Sequence, residues 1–265
     1  MIRFMSLSSG SKGNCTYIET PHAKILIDAG LSMLQIKNRL NNQGIELTTL
    51  DAVFITHEHS DHINNLVSIL IKTNATLYIE ASTYTNCNKR LRNGLVNLPV
   101  KFIKPDSRYN ICDVSVVPIK LSHDTEVCLG YLVKQLDTDK NITFASITDT
   151  GYIPKKYFQI LSFIRVLLIE SNHDVEMLLN SGRPWNLINR ILSDRGHMSN
   201  KQCCDHLKQF LSKHNEIVIL AHISEECNEY SLAHDFCLKE FNYNIPFDLQ
   251  VALQYVELPV INLED

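Results

Sequence analysis

Seven consecutive residues, Thr56-His57-Glu58-His59-Ser60-Asp61-His62, bring together three imidazoles and two carboxylates. Imidazole nitrogen suits Zn, Fe and Mn, and carboxylate oxygen suits the harder divalent cations. In an extended segment residues two apart point the same way, so His57 and His59 can share one target. A turn after them would aim Asp61 and His62 at a second point, and one segment could then serve two adjacent metals. Four potential ligands at this spacing outweigh the alternative, a histidine-rich surface loop that holds no metal.

Elements that could position this loop are legible on both sides of it. The apolar run Ala52-Val53-Phe54-Ile55 reads as a buried strand bounded by Asp51 and Thr56, so the ligand cluster begins where a strand ends. Residues 2–8 and 15–20 read as paired strands joined through Ser9-Gly10-Ser11-Lys12-Gly13-Asn14. Its glycines and Asn14 favour a turn. A phosphate loop is the sharper alternative, but the Walker spacing is absent, and Ser11, Lys12 and Asn14 stay as candidate substrate contacts. Residues 25–30 form a strand running into a turn at Asp28, and Ser32 with Gln35 fits a capping box opening a helix that ends near Gly44. Residues 63–72 carry apolar side chains at helical spacing. Strand 76–79, helix 81–91 and strand 100–103 follow. Lys89, Arg90, Arg92, Lys101, Lys104 and Arg108 make this half locally basic, which fits ordinary solvated charge and a nucleic-acid face equally well.

In the second half, strand-like segments 113–119 and 126–134 bracket His123, which would supply a third nitrogen to a metal. Strand 142–147 delivers Asp149, read as a carboxylate shared by two metals rather than a helix cap. Strand 165–169 ends in Glu170-Ser171-Asn172-His173-Asp174, and residues 184–193 read as helical. Ser199 and Gln202 form a second capping box, which leaves His197 just outside a helix N-terminus. Strand 217–221 delivers His222. Residues 228–241 read as a last helix, and 247–256 as terminal strand.

Composition narrows the class. With 265 residues and 45% apolar content the chain can bury a substantial core, and without a Gly/Ser/Pro linker or short repeat it reads as one domain over 1–265. A net charge of −4 excludes a broadly basic coat. No apolar run approaches a membrane span, and the N-terminus is too short and strand-like for a signal peptide. The eight cysteines contain no Cys-x-x-Cys pair and read as reduced thiols of a cytoplasmic protein. Two β-rich, helix-punctuated halves fit an αββα sandwich, an α/β (α+β) fold of two mixed sheets flanked by helices.

The ordered set His57, His59, Asp61, His62, His123, Asp149 and His222 resembles the seven-ligand signature of the metallo-β-lactamase superfamily. The resemblance implies that His57, His59 and His123 hold one divalent ion (Zn, Mn or Fe), and that Asp61, His62 and His222 hold a second, with Asp149 bridging. It also implies that Asp28 supports the histidine loop by hydrogen bonds. Zinc β-lactamases use cysteine at the place of Asp149; aspartate is typical of the phosphodiesterases and glyoxalase II. Glu170 and the Gly196-His197-Met198-Ser199 stretch resemble the paired glutamate and histidine motifs of RNase Z-like phosphodiesterases, where the glutamate orients the histidine near the scissile phosphate. The stretch between Asp149 and His222 leaves no room for the second domain of RNase J-type nucleases.

Ser8 to Asn14, Ile27 to Ser32, Ile55 to His62, Thr148 to Gly151, Glu170 to Asp174 and Gly196 to Asn200 together look like the WalJ/YycJ family. That likeness implies a metal-dependent phosphodiesterase with 5′-to-3′ exonuclease activity, on DNA rather than RNA, in which Asp61 and His197, held by Glu170, act on the reacting groups. Asn172 and Ser199 join the candidate substrate contacts. A glyoxalase II-like thioester or lactone hydrolase, and a non-catalytic nucleotide-binding regulator, are the alternatives. Metal identity and oligomeric state are not written in the sequence.

Overall fold

The computed structural model describes residues 1–136 and 143–263. Its strands build two seven-stranded sheets. In the first, β1 (Ile2–Ser8), β2 (Cys15–Glu19), β3 (Lys24–Ile27), β4 (Ala52–Phe54), β5 (Thr76–Glu80) and β6 (Val100–Ile103) lie side by side in chain order. In the second the same holds for β7 (Tyr109–Ile111), β8 (Val114–Leu121), β9 (Cys128–Gln135), β10 (Thr143–Ile147), β11 (Val166–Glu170), β12 (Ile217–Ala221) and β13 (Asp248–Val251). The last strand, β14 (Ile261–Leu263), returns to the first sheet antiparallel to β1, with Leu263 opposite Ile2.

Alternation of side chains across each strand builds three layers of core. Phe4, Phe54, Tyr131, Phe144, Leu168 and Ile219 point between the sheets, where Phe4 stacks on Phe144 at 4.7 Å between centroids. Their neighbours turn outward. Leu26, Val53 and Leu77 meet α1 (Met33–Asn42) and then, past the short α2 (Ser60–Ile63), α3 (Leu66–Thr73). Leu167, Val218 and Leu220 meet the helices of the second half. Both faces of the central strands are therefore buried, which is why they read as continuous apolar runs. This is the expected αββα sandwich.

Several local expectations are corrected. The single helix expected over 81–91 is two, α4 (Ala81–Asn86) and α5 (Lys89–Leu95). Cys87 is extended between them, and the Asn88 side chain accepts from the Leu91 amide at 3.0 Å, so asparagine starts a new helix where the apolar period suggested continuation. The helix expected from residue 63 begins at Leu66, because Asn65 gives its backbone N–H to Ala29 and breaks the run after α2. Helices α6 (Phe158–Leu161) and α7 (Val175–Leu179), and strands β7 and β14, are too short to leave a period in the sequence. Helices α8 (Trp185–Leu192), α9 (Asn200–Phe210) and α10 (Tyr230–Glu240) fall where expected. Of the terminal strand expected over 247–256 only β13 forms, and of the strand expected over 142–147, Ile142 lies outside the described residues. No helix among the described residues is long and apolar enough to cross a membrane.

Candidate metal centre

The parallel strands β3, β4, β10, β11 and β12 end on the residues that sequence reasoning singled out. Asp28 follows β3 directly, His57 lies just past β4, Asp149 lies just past β10, Glu170 closes β11 and His222 follows β12. Three of these turn sharply: φ is 63° at Asp28, 57° at Asp149 and 55° at His222. Left-handed backbone at a non-glycine residue costs about 1–3 kcal/mol and persists where the surroundings over-determine it, as at binding sites.

Asp28 organises the histidine loop. One oxygen accepts from the Thr56 amide at 2.9 Å and its hydroxyl at 3.0 Å, and the other lies 2.7 Å from Nδ1 of His62. With Nδ1 of His62 engaged, Nε2 faces the interior, 3.3 Å from Asp61 Oδ2 and 3.3 Å from Asp149 Oδ2. α2 begins directly after His59, and that single turn carries Asp61 and His62 round to a second point.

Two groups of donors result. His57, His59 and His123 offer nitrogens within 4.8 Å of one another; so do the donor atoms of Asp61, His62 and His222. Asp149 stands between them, grouped with His57 and His62 on the same criterion and 3.4 Å from Nε2 of His222. Among the described residues, Nε2 of His57, Nε2 of His222 and Oδ2 of Asp149 are buried without a hydrogen-bond partner. Burial holds the His57 imidazole well below its usual pKa, so it is a neutral lone-pair donor. Burial alone would raise Asp149, but His222 and His62 outweigh it and keep the carboxyl ionised. The unpartnered lone pair of neutral His57, the Asp149 carboxylate and the His222 ring, whose pKa Asp149, Asp61 and Glu170 hold well above the usual, fit a divalent cation, which would satisfy them and take the place of the His222 proton.

Beside this cluster, Oε1 of the fully buried Glu170 lies 2.7 Å from Nδ1 of His197 and 3.1 Å from Nδ1 of His222, and Oε2 accepts from the Thr150 amide at 2.7 Å. His197 is part-exposed and stacks on His222 at 5.3 Å between centroids. The remaining candidates divide. The Asn14 amide reaches the second group, 3.1 Å from Asp61 Oδ2 and 3.0 Å from His62 Nε2. Ser11 and Lys12 are exposed on the turn, with the Lys12 amide bonded to Gln254 at 2.8 Å. Asn172 donates to the His222 carbonyl at 2.7 Å, and the Ser199 hydroxyl caps α9.

Three participants were not singled out from the sequence. Thr56 joins Asp28 to both His57 and His62. The Gly196 carbonyl accepts from Nδ1 of His123 at 3.1 Å, which turns Nε2 inward. Asp124 Oδ1 lies 3.2 Å from Nε2 of His123 and 3.4 Å from Nε2 of His59, while its other oxygen accepts from Arg190 at 2.8 Å. Asp124 adjoins His123 in the chain, and that adjacency was the one available signal.

A family description, the β-lactamase superfamily domain, matches residues 23–223. Exodeoxyribonuclease WalJ of Streptococcus pneumoniae serotype 2 (strain D39 / NCTC 7466) is 35% identical over 233 residues, 88% of this chain and 85% of the relative. The chain belongs to the WalJ/YycJ family of the metallo-β-lactamase superfamily. Exodeoxyribonuclease YycJ of Bacillus anthracis, 31% identical over 232 residues (88% of this chain, 86% of the relative), is a second member. The metallo-β-lactamase fold protein YhfI from Bacillus subtilis shares the fold at a TM-score of 0.66 and 14% identity, over 97% of this chain and 99% of its own. Superfamily membership and the buried His/Asp cluster agree on a site for divalent metal.

Proposed function

We propose that this WalJ/YycJ-family protein is a dinuclear-metal-dependent phosphodiesterase that degrades DNA from the 5′ end. The observation that carries the reading is the Glu170–His197 pair set against the metal cluster, at 2.7 Å. Glyoxalase II does not use such a pair, and the family members compared are named exodeoxyribonucleases. His57, His59 and His123 would hold one ion and Asp61, His62 and His222 the other, with Asp149 between them; the donor set suits Zn, Mn or Fe.

When bound, such a pair of cations lowers the pKa of a water and neutralises charge on the phosphoryl oxygens. The chain's own groups do the rest. Asp61, the more exposed of the two carboxylates in the donor groups, orients the attacking water and takes its proton. His197, with Nδ1 tied to Glu170, presents Nε2 to the phosphoryl group or the leaving oxygen and donates a proton there. Eight free cysteines support a cytoplasmic protein, and the core shared between the two sheets supports one domain.

The test is hydrolysis by the Mn-loaded and Zn-loaded protein of a 5′-phosphorylated DNA duplex, with matched RNA and a glutathione thioester alongside. Stepwise release of nucleotides from the 5′ end, lost in Asp61→Ala, is the expected result. Thioester cleavage with DNA untouched would overturn it.

A further inference from the structure

A cleft of about 710 Å³ opens between α3 and α5, starting from the histidine loop. Glu58 and Ser60, the two neighbours of His59, form its inner end. The lining also carries Lys72 from α3 and Arg90 from α5. The volume lies in the range of about 300–1,000 Å³ that holds small organic groups. The helices meet closely where Gly94 faces Val67: a Cβ on Gly94 would lie 2.9 Å from Val67 carbons.

The surface cations are of two kinds, paired and unpaired. Arg165, Arg183, Arg190, Lys156 and Lys208 each pair with a carboxylate. Lys72 and Arg90 have no acidic partner among the described residues, although they come from different helices and line one space. The only acid on the lining, Glu58, sits at the inner end beside Asn86, at 3.4 Å. The lining also includes Ile63, Ile71 and Leu91, and Ile71 is 65% exposed. Two unpaired cations held over an apolar floor are the complement of a sugar-phosphate chain: the cations take phosphates, and the floor takes sugar and base faces without reading sequence.

We infer that this cleft is the track for single-stranded DNA running away from the metal centre, with Lys72 and Arg90 holding phosphates beyond the one being cleaved. The inference rests on the phosphodiesterase reading above, and adds where the rest of the strand lies. It gives the basic stretch around Lys89–Arg92 a function for Arg90 and joins to it Lys72, a residue outside that stretch.

The experiment compares wild type with Lys72→Gln/Arg90→Gln, both metal-loaded, on 5′-phosphorylated thymidine oligomers of two and eight nucleotides over a range of salt. Both side chains are exposed on helix surfaces, so the core is untouched. In wild type the longer substrate should have the higher kcat/KM. The double variant should lose that advantage about tenfold, and its log–log salt slope for the longer substrate should flatten by about 1.4, the value for two lost single-strand phosphate contacts. The charge-keeping Lys72→Arg/Arg90→Lys should restore both. An unchanged length preference and salt slope in the Gln variant would overturn the cleft, and so would an equal loss on both substrates. If wild type cleaves neither oligomer, the phosphodiesterase reading itself fails, and this wild-type arm separates that failure from the first.

Discussion

Glu170 presents a single carboxylate oxygen to His197 at 2.7 Å, and the same oxygen lies 3.1 Å from His222. One buried anion therefore sets the ring orientation of both a part-exposed histidine beside the site and a histidine of the metal cluster. The two roles separate by mutation. His197→Ala should lower kcat by about 10²–10⁴-fold with metal content intact. Glu170→Gln should lower kcat and, because the Thr150 amide keeps the amide oxygen and turns the NH2 toward His222, also weaken metal binding by about 10–100-fold. Metal analysis after dialysis against a graded chelator distinguishes the two. Loss of metal in His197→Ala would make that residue a ligand or a structural group.

Asp28 takes no part in the donor groups, yet it accepts from Thr56 and faces Nδ1 of His62 at 2.7 Å. In Asp28→Asn an amide N–H facing that nitrogen favours the wrong tautomer and moves the ring proton to Nε2. The expected outcome is about 10–100-fold weaker metal binding and a loss of about 1–3 kcal/mol in urea unfolding of the metal-free protein.

Gly30 joins the turn before β2 to the histidine loop. A Cβ there would lie 2.0 Å from the Asp61 carbonyl oxygen and 2.5 Å from the Asn14 amide, both backbone atoms that cannot step aside alone. Gly30→Ala should cost about 1–3 kcal/mol of stability and displace Asp61, with loss of metal from the second group of donors. An unchanged melting temperature with full metal content would contradict this.

His173 is fully buried, with neither ring nitrogen hydrogen-bonded among the described residues. Burial pushes its pKa down to about 4. In the unfolded chain the imidazole returns to about 6.5, so as pH falls the unfolded state takes up this proton first. Its contribution to stability is complete above about pH 6.5, falls by up to about 1.4 kcal/mol per pH unit toward pH 4, and is level below that. Denaturation of the metal-free protein at several pH values should give a shallower acid slope for His173→Leu than for wild type.

Sequence alone determined what is local. Apolar runs with β-branched residues located the central strands, since burial on both faces demands such runs. The capping boxes at Ser32/Gln35 and Ser199/Gln202 started α1 and α9 because the pairing spans only three residues. The seven donors stood out because their types and their positions at strand ends are written in the chain. Tertiary structure decided what depends on long-range pairing. It set the parallel strand ends side by side, so that Glu170 faces His197 and His222 together. It gave Thr56, Asp124 and the Gly196 carbonyl their partners, sent β14 back to the first sheet and placed Lys72 and Arg90 on one cleft. These contacts join residues far apart in sequence, and their geometry is fixed by sheet register and helix packing, which no local period encodes.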